Sequence, residues 1–147
     1  METGIEGIAL IKKFEGCKLR AYKCPAGVMT IGYGNTFYEN GKKILATDRI
    51  TQARAEELLL SLLPRYETTV KRAIRIELTQ NQFDALVSFC WNCGSSRTLF
   101  SKVNSKAIDT NVWWETHYIT GGGKPLRGLV LRRKAESILF SKKSLYL

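Results

Sequence analysis

Residues 14–34 read FEGCKLRAYKCPAGVMTIGYG and hold a single acid, Glu15, among lysines and arginines. Most hydrolytic schemes need a proton donor on one side of the scissile bond and a second group on the other. Eight residues separate Glu15 from Cys24, and five separate Cys24 from Thr30. The first gap lets the chain leave a helix and begin a hairpin. The second crosses a Pro25–Gly27 turn and returns on the next strand. All three side chains can therefore face one cleft, with Gly32 and Gly34 leaving bare backbone for a bulky glycan. Glu15 falls in the last turn of a predicted helix, where the negative end of the macrodipole favours the protonated acid. That suits a general acid; an exposed glutamate before a C-capping glycine is the plainer alternative. Cys24 starts from an ordinary thiol pKa of about 8.5, which Lys18, Arg20 and Lys23 would lower and a charged Glu15 would raise.

The elements that must position these groups are legible in outline. Thr3-Gly4-Ile5-Glu6 reads as a capping box opening a helix over about 4–15, which Gly16 stops. Residues 18–47 alternate short apolar runs with Pro25, Gly27, Gly32, Gly34, Asn35, Asn40 and Gly41, as a small sheet of hairpins does. TQARAEELLLSLL (51–63) is amphipathic, Pro64 marks a boundary or kink, and helix continues to about Ile76. Thr79-Gln80-Asn81-Gln82 is a second capping box, followed by Phe83, Leu86, Val87 and Cys90 at i, i+3, i+4 and i+7, with Gly94 as the stop. Shorter helices are expected near 97–105 and 109–118. TGGGKP reads as a loop, and a last helix runs over about 128–140. The class is α+β: one helix, a small sheet, then a helical lobe.

With 147 residues, 44% of them hydrophobic, the chain can bury one domain's core. Its formal charge of +10 favours anionic partners: nucleic acid, acidic lipid headgroups or an anionic wall polymer. No leader and no membrane-spanning run is visible, so synthesis in a cytoplasm with reduced thiols is expected. Cys17, Cys24, Cys90 and Cys93 do not read as a disulfide framework. A Cys17–Cys24 bridge under oxidation would block the site. Cys90-x-x-Cys93 falls late in a helix, and one such pair with a single histidine makes a poor zinc site. Small core residues are the better reading.

The opening stretch resembles the phage-type lysozymes, the endolysins of glycoside hydrolase family 24. Their hallmark is Glu, eight residues, Asp or Cys, five residues, Thr, then a TIGYG-like strand; here these are Glu15, Cys24, Thr30 and Thr30–Gly34. LTQNQFDALVSFCWNCG (78–94) is similar to the family's central helix, and GLVLRRKAESILF (128–140) to its closing helix. The resemblance covers nearly the whole chain and implies one lysozyme-like catalytic domain, 1–147. In it a β-rich lobe, about 16–50, and a helical lobe, about 51–147 plus the first helix, flank a glycan cleft.

The implied reaction is hydrolysis of the β-1,4 bond between N-acetylmuramic acid and N-acetylglucosamine in peptidoglycan. Glu15 would protonate the leaving oxygen, and Cys24 and Thr30 would aid water attack from the opposite face, inverting the anomeric centre. Cys24 then acts as a thiolate base or stabiliser, as a thiol that shapes the site while Thr30 positions the water, or as a silent substitution. Arg132 is a candidate to orient Glu15, against a solvated basic face, and Glu136 is its simplest helical partner. Tyr33 and Asn92, inside the matching blocks, are supporting candidates. Trp113 and Trp114 read as core before sugar platforms; being adjacent, they face different sides of a helix, one of them able to line a groove. His117 reads as a helix-end histidine, and Gln82 as a cap. No metal or organic cofactor is implied. The partners are peptidoglycan glycan strands, with electrostatic attraction of the basic 124–147 segment to anionic wall or lipopolysaccharide. A monomer is expected, reaching the wall or periplasm only after release. The rivals are a lytic transglycosylase on the same bond and a non-enzymatic basic wall- or membrane-binding module. No specific nucleic-acid motif accompanies the charge.

Overall fold

The computed structural model describes residues 1–143. Their order is α1 (Ile5–Glu15), β1 (Lys18–Lys23), β2 (Met29–Gly32), α2 (Gln52–Ala73), α3 (Gln80–Cys93), α4 (Arg97–Asn104), α5 (Thr110–Thr116), β3 (Thr120–Gly121), β4 (Lys124–Pro125) and α6 (Arg127–Ser141). The class is α+β, as the periodicities require. The chain forms two compact units: Lys12–Pro64, and Met1–Ile11 together with the chain from Arg65 onward.

In the Lys12–Pro64 unit, β1 and β2 form an antiparallel hairpin in which Tyr22 faces Thr30 and Lys23 faces Met29. Between Lys18 and Tyr22 the register slips, because mid-strand residues pair elsewhere. Ala21 N–H donates to Asp48 O, and Ile50 N–H donates to Leu19 O. Ile31, Ile44 and Leu58 form the core, with Ala21, Met29, Tyr38 and Ile50 against it. The Tyr38 hydroxyl donates to Asp48 Oδ2 at 2.6 Å, which holds the 45–48 turn. Thr51 opens α2 by accepting from Arg54 N–H. Pro64 sits inside α2 rather than ending it.

In the other unit, α3 is buried along Phe83–Cys90 without a break. It is wrapped on all sides, beyond the one-sided stripe its apolar spacing suggests. Its two buried polar residues have structural duties. Asp84 accepts from Gly4 N–H and Gly7 N–H, while Ser88 donates to Glu136 at 2.6 Å. The box expected at Thr3–Glu6 does not form. Thr3 donates its N–H and hydroxyl to Glu67 instead, and Glu6 meets Lys142 at 3.3 Å. Carboxylates from α2 and α3 outcompete a local glutamate because they are buried and fixed at the positive end of α1. The Thr79–Gln82 box does form, and Gly94 caps α3 with φ 75°. TGGGKP is a two-residue hairpin, β3–β4, with Gly122 and Gly123 both at positive φ, not an unpaired loop. Among the described residues no helix is long and apolar enough to cross a membrane.

Candidate active site

Glu15 is the last residue of α1. The helix closes there because Gly16 takes φ 68° and returns its N–H to Lys12 O at 3.0 Å. The carboxylate, half-buried, lies against the Ile31–Asn35 turn. That turn is pinned by paired Ile31 and Asn35 backbone bonds and by Asn35 Nδ2 donating to Leu58 O. Gly34 has φ 94°, and a Cβ there would stand 3.2 Å from Glu15 Oε1. Glycine at 34 is thus required by conformation and by the acid beside it. Gly32 differs from the expectation of open backbone. It is buried, and a side chain there would meet Asn35, Ile50 and Ala55, so it serves the turn and not a ligand surface.

Cys24 begins the hairpin turn. Gly27 N–H donates to Cys24 O at 2.8 Å, and Cys24 N–H donates to Val28 O at 2.9 Å. Pro25 presets the turn, and Gly27 takes φ 82°. Strand alternation puts Tyr22 and Cys24 on one face of β1's line, and pairing puts Thr30 on that same face. The backbone of Val28, then that of Ala26, lowers the Cys24 thiol below its ordinary value, partial burial opposing and the Thr30 hydroxyl assisting. Fixed backbone donors, rather than the lysines and arginine around it in sequence, favour the thiolate. Lys23 lies on the opposite face by alternation. Thr30 is buried and donates to Val28 O at 2.9 Å.

Tyr22, which the sequence did not single out, ties the site together. Burial raises its pKa, and negative charge on Cys24 and Glu15 raises it further. Its hydroxyl therefore stands in the field of both groups. The available signal was its place two residues before Cys24 on a strand.

Tyr33 plays a different part. Its buried hydroxyl accepts from Gln52 at 2.9 Å and donates to Glu56 at 3.3 Å, while Lys12 pairs with Glu56 at 2.5 Å. Cys17 donates to Gln52 at 3.7 Å. Tyr33 pegs the glycine turn to α2.

Arg132 belongs to the other unit, and there it is buried rather than on a solvated face. It donates to Glu136 Oε2 at 3.4 Å and to Ser88 O at 3.2 Å. Glu136, fully buried, also receives Trp114 Nε1 at 3.1 Å and Arg133 Nη2 at 3.0 Å. Asn92 is exposed and accepts only from Cys93 among the bonds described. Trp114 is core, Trp113 stacks on His117 at 4.2 Å, and His117 Nδ1 meets Trp113 O at the helix end. Cys90 is a core thiol pushed up to about 12 by burial and then by Glu136. Cys93, beside the Arg133 guanidinium, is raised mainly by burial. All four cysteines are free, and the described residues contain no metal-ligating group of three or more.

Residues 12–136 match the Phage lysozyme family model. The endolysin of Acyrthosiphon pisum secondary endosymbiont phage 1 is 37% identical, over 95% of this chain and 98% of that protein. The endolysin of Bacillus phage PZA is 36% identical over 96% of this chain, which spans only 55% of that longer relative. The solved muramidase domain of SpmX from Asticaccaulis excentricus superposes with a TM-score of 0.84 at 32% identity, covering 97% of this chain and 99% of that one.

Proposed function

The chain belongs to the phage lysozyme family, and we propose that Glu15, Cys24 and Thr30 are its catalytic residues. It is an endolysin-type lysozyme, a glycoside hydrolase of bacterial peptidoglycan, with the lysozyme-like fold. The bond cleaved is the β-1,4 link between N-acetylmuramic acid and N-acetylglucosamine. Endolysins act on the wall after release, and peptidoglycan is the partner. A monomer with one catalytic domain, drawn to the wall by its positive charge, completes the reading.

Glu15 donates its proton to the glycosidic oxygen as the bond breaks. Water attacks the cationic sugar from the opposite face and inverts the anomeric centre. Cys24 as thiolate stabilises the developing positive charge and takes a proton from that water. Thr30 has one hydroxyl proton and two uses for it. It donates to Val28 O when Cys24 is a thiol and turns to the sulfur when Cys24 is a thiolate. Its lone pairs hold the water in the first state. Arg132 and Asn92 remain supporting residues on the family pattern, and Tyr33 as the peg of the turn.

The observation that carries this reading is the hairpin face shared by Tyr22, Cys24 and Thr30. The test is product analysis on purified peptidoglycan. Glu15→Gln should abolish release of reducing ends, and Cys24→Asp should retain it. Cys24→Ala should lose most of it. Full activity in Cys24→Ala would remove the thiolate from the mechanism, and activity in Glu15→Gln would remove the acid. Release of 1,6-anhydromuramoyl ends instead of reducing ends would make the enzyme a transglycosylase.

A further inference from the structure

Away from these residues, in the unit that runs from Arg65 onward, lies a pocket of about 430 Å³ with no acid in its lining. Arg72 enters it from the last turn of α2, Arg75 from the segment after α2, and Arg97 from the first position of α4. The three come from different segments, so the cluster is made by the fold and not by a basic run. Asn104 fixes the geometry: its Oδ1 accepts from Arg75 N–H at 2.7 Å, and its Nδ2 donates to Ala73 O at 2.9 Å. The end of α2 and the end of α4 are thereby clamped together around the pocket, and buried Phe100 contributes to its lining.

Eight of the protein's acids are committed elsewhere. Glu39 and Glu57 meet Arg54, Glu56 meets Lys12, Asp109 meets Lys102, and Glu6 meets Lys142. Asp84 and Glu67 hold the start of α1, and Glu136 holds Arg132 and Arg133. Among the described residues, none of Arg72, Arg75 and Arg97 has a carboxylate partner. Three like charges held in one concavity repel one another, an arrangement relieved by a bound anion.

We propose that this pocket binds the phosphates of a phosphodiester polymer and anchors the enzyme beside its substrate. Guanidinium forks suit phosphate oxygens, which they grip bidentately. The volume exceeds one phosphate and accommodates neighbouring groups of a chain. A lipid surface fits less well, since membrane docking calls for an exposed apolar anchor beside the cations, and Phe100, the one bulky apolar lining residue, is buried. The proposal is independent of the catalytic assignment, because none of these residues has a role in it.

The probe is a glycerol phosphate oligomer, titrated calorimetrically into the full chain. Two variants frame the result: Arg72→Gln/Arg75→Gln/Arg97→Gln, and a charge-matched control, Lys42→Gln/Lys43→Gln/Arg49→Gln. The arginine variant should bind at least about tenfold more weakly. Its slope of log K against log salt should fall by about 2, roughly 0.7 for each lost contact. The control should bind like wild type, and both variants should keep wild-type melting and turnover on short soluble glycan fragments. Equal weakening in the two variants would overturn the proposal in favour of net charge alone. Failure of wild type to bind the oligomer would overturn it, as would binding only to mixed phosphatidylcholine and phosphatidylglycerol vesicles.

Discussion

Replacing Gly7 by alanine should destabilise the protein, although Gly7 lies inside a helix where alanine is normally the better residue. On propensity alone the change stabilises by up to about 1 kcal/mol. The structure reverses the sign. A Cβ on residue 7 would stand 2.7 Å from Thr3 Cγ2, 2.8 Å from Asp84 Cβ and 2.9 Å from Asp84 Cγ. Asp84 cannot retreat cheaply. It is buried and accepts from Gly4 N–H, Gly7 N–H and Gln80 Nε2 at 2.9, 3.1 and 2.7 Å. Thr3 is held in turn by Glu67 at 2.6 Å. Each hydrogen bond to a charged group is worth about 1.5–3 kcal/mol, and overpacking typically costs about 1–3 kcal/mol. After the propensity gain is subtracted, the net loss is about 1–3 kcal/mol. For a chain of this size that lowers the melting temperature by roughly 3–10 °C. Gly128→Ala is the matched control. Gly128 also lies in a helix, at ordinary φ, and a Cβ there meets nothing within 4 Å, so it should stabilise by a few tenths to about 1 kcal/mol. Paired calorimetric melts decide. If both variants melt higher than wild type, Asp84 does not lock the start of α1 and the clash argument fails.

Cys24 should react with iodoacetamide with a pH midpoint below that of an ordinary free thiol, since its backbone surroundings lower its pKa. Thr30→Val, which removes one of the lowering contacts, should move that midpoint up; mass spectrometry of the labelled peptide separates Cys24 from the other three thiols. Gly34→Ala combines a left-handed backbone with a 3.2 Å approach to Glu15 Oε1. It should cost about 1–2 kcal/mol of stability and lower kcat more than it changes KM, whereas unchanged kcat would place Glu15 outside the chemistry. Glu136→Gln removes the buried anion shared by Arg132 and Arg133 and should cost about 3–5 kcal/mol in chemical denaturation.

What the sequence disclosed depended on the range of the interaction. Local signals read true: the Thr79–Gln82 box, the Gly94 stop and the apolar spacing of α3 each involve residues within a turn or two. The Thr3–Glu6 box had the same appearance and did not form, because Glu67 and Asp84, more than sixty positions away in sequence, occupy the same donors. Nothing in a window of four residues carries that competition. The burial of Arg132 and Arg133 was hidden for a related reason. The i, i+4 spacing does give Glu136 as the partner of Arg132, but that both guanidiniums are buried with that carboxylate, Arg132 also donating to Ser88 O, is not legible from a basic segment.

The candidate site divides along the same line. Spacing placed Glu15, Cys24 and Thr30 on adjoining elements because a hairpin of that length admits few registers. Side-chain identity is a weaker guide to Cys24. The residues nearest it in sequence, Lys18, Arg20 and Lys23, suggested charge as the source of thiol activation. The lowering comes first from the main chain of Val28 and Ala26, in the turn that Pro25 and Gly27 shape. Turn geometry thus does the work that a charged neighbour was expected to do. It follows that thiol acidity at position 24 should survive neutralisation of all three cations and should be lost when the turn is altered. Lys18→Gln/Arg20→Gln/Lys23→Gln would leave the alkylation midpoint nearly unchanged, while Gly27→Val, forcing a β-branched residue to φ 82°, would raise it. The opposite pattern would return the activation of Cys24 to electrostatics between side chains.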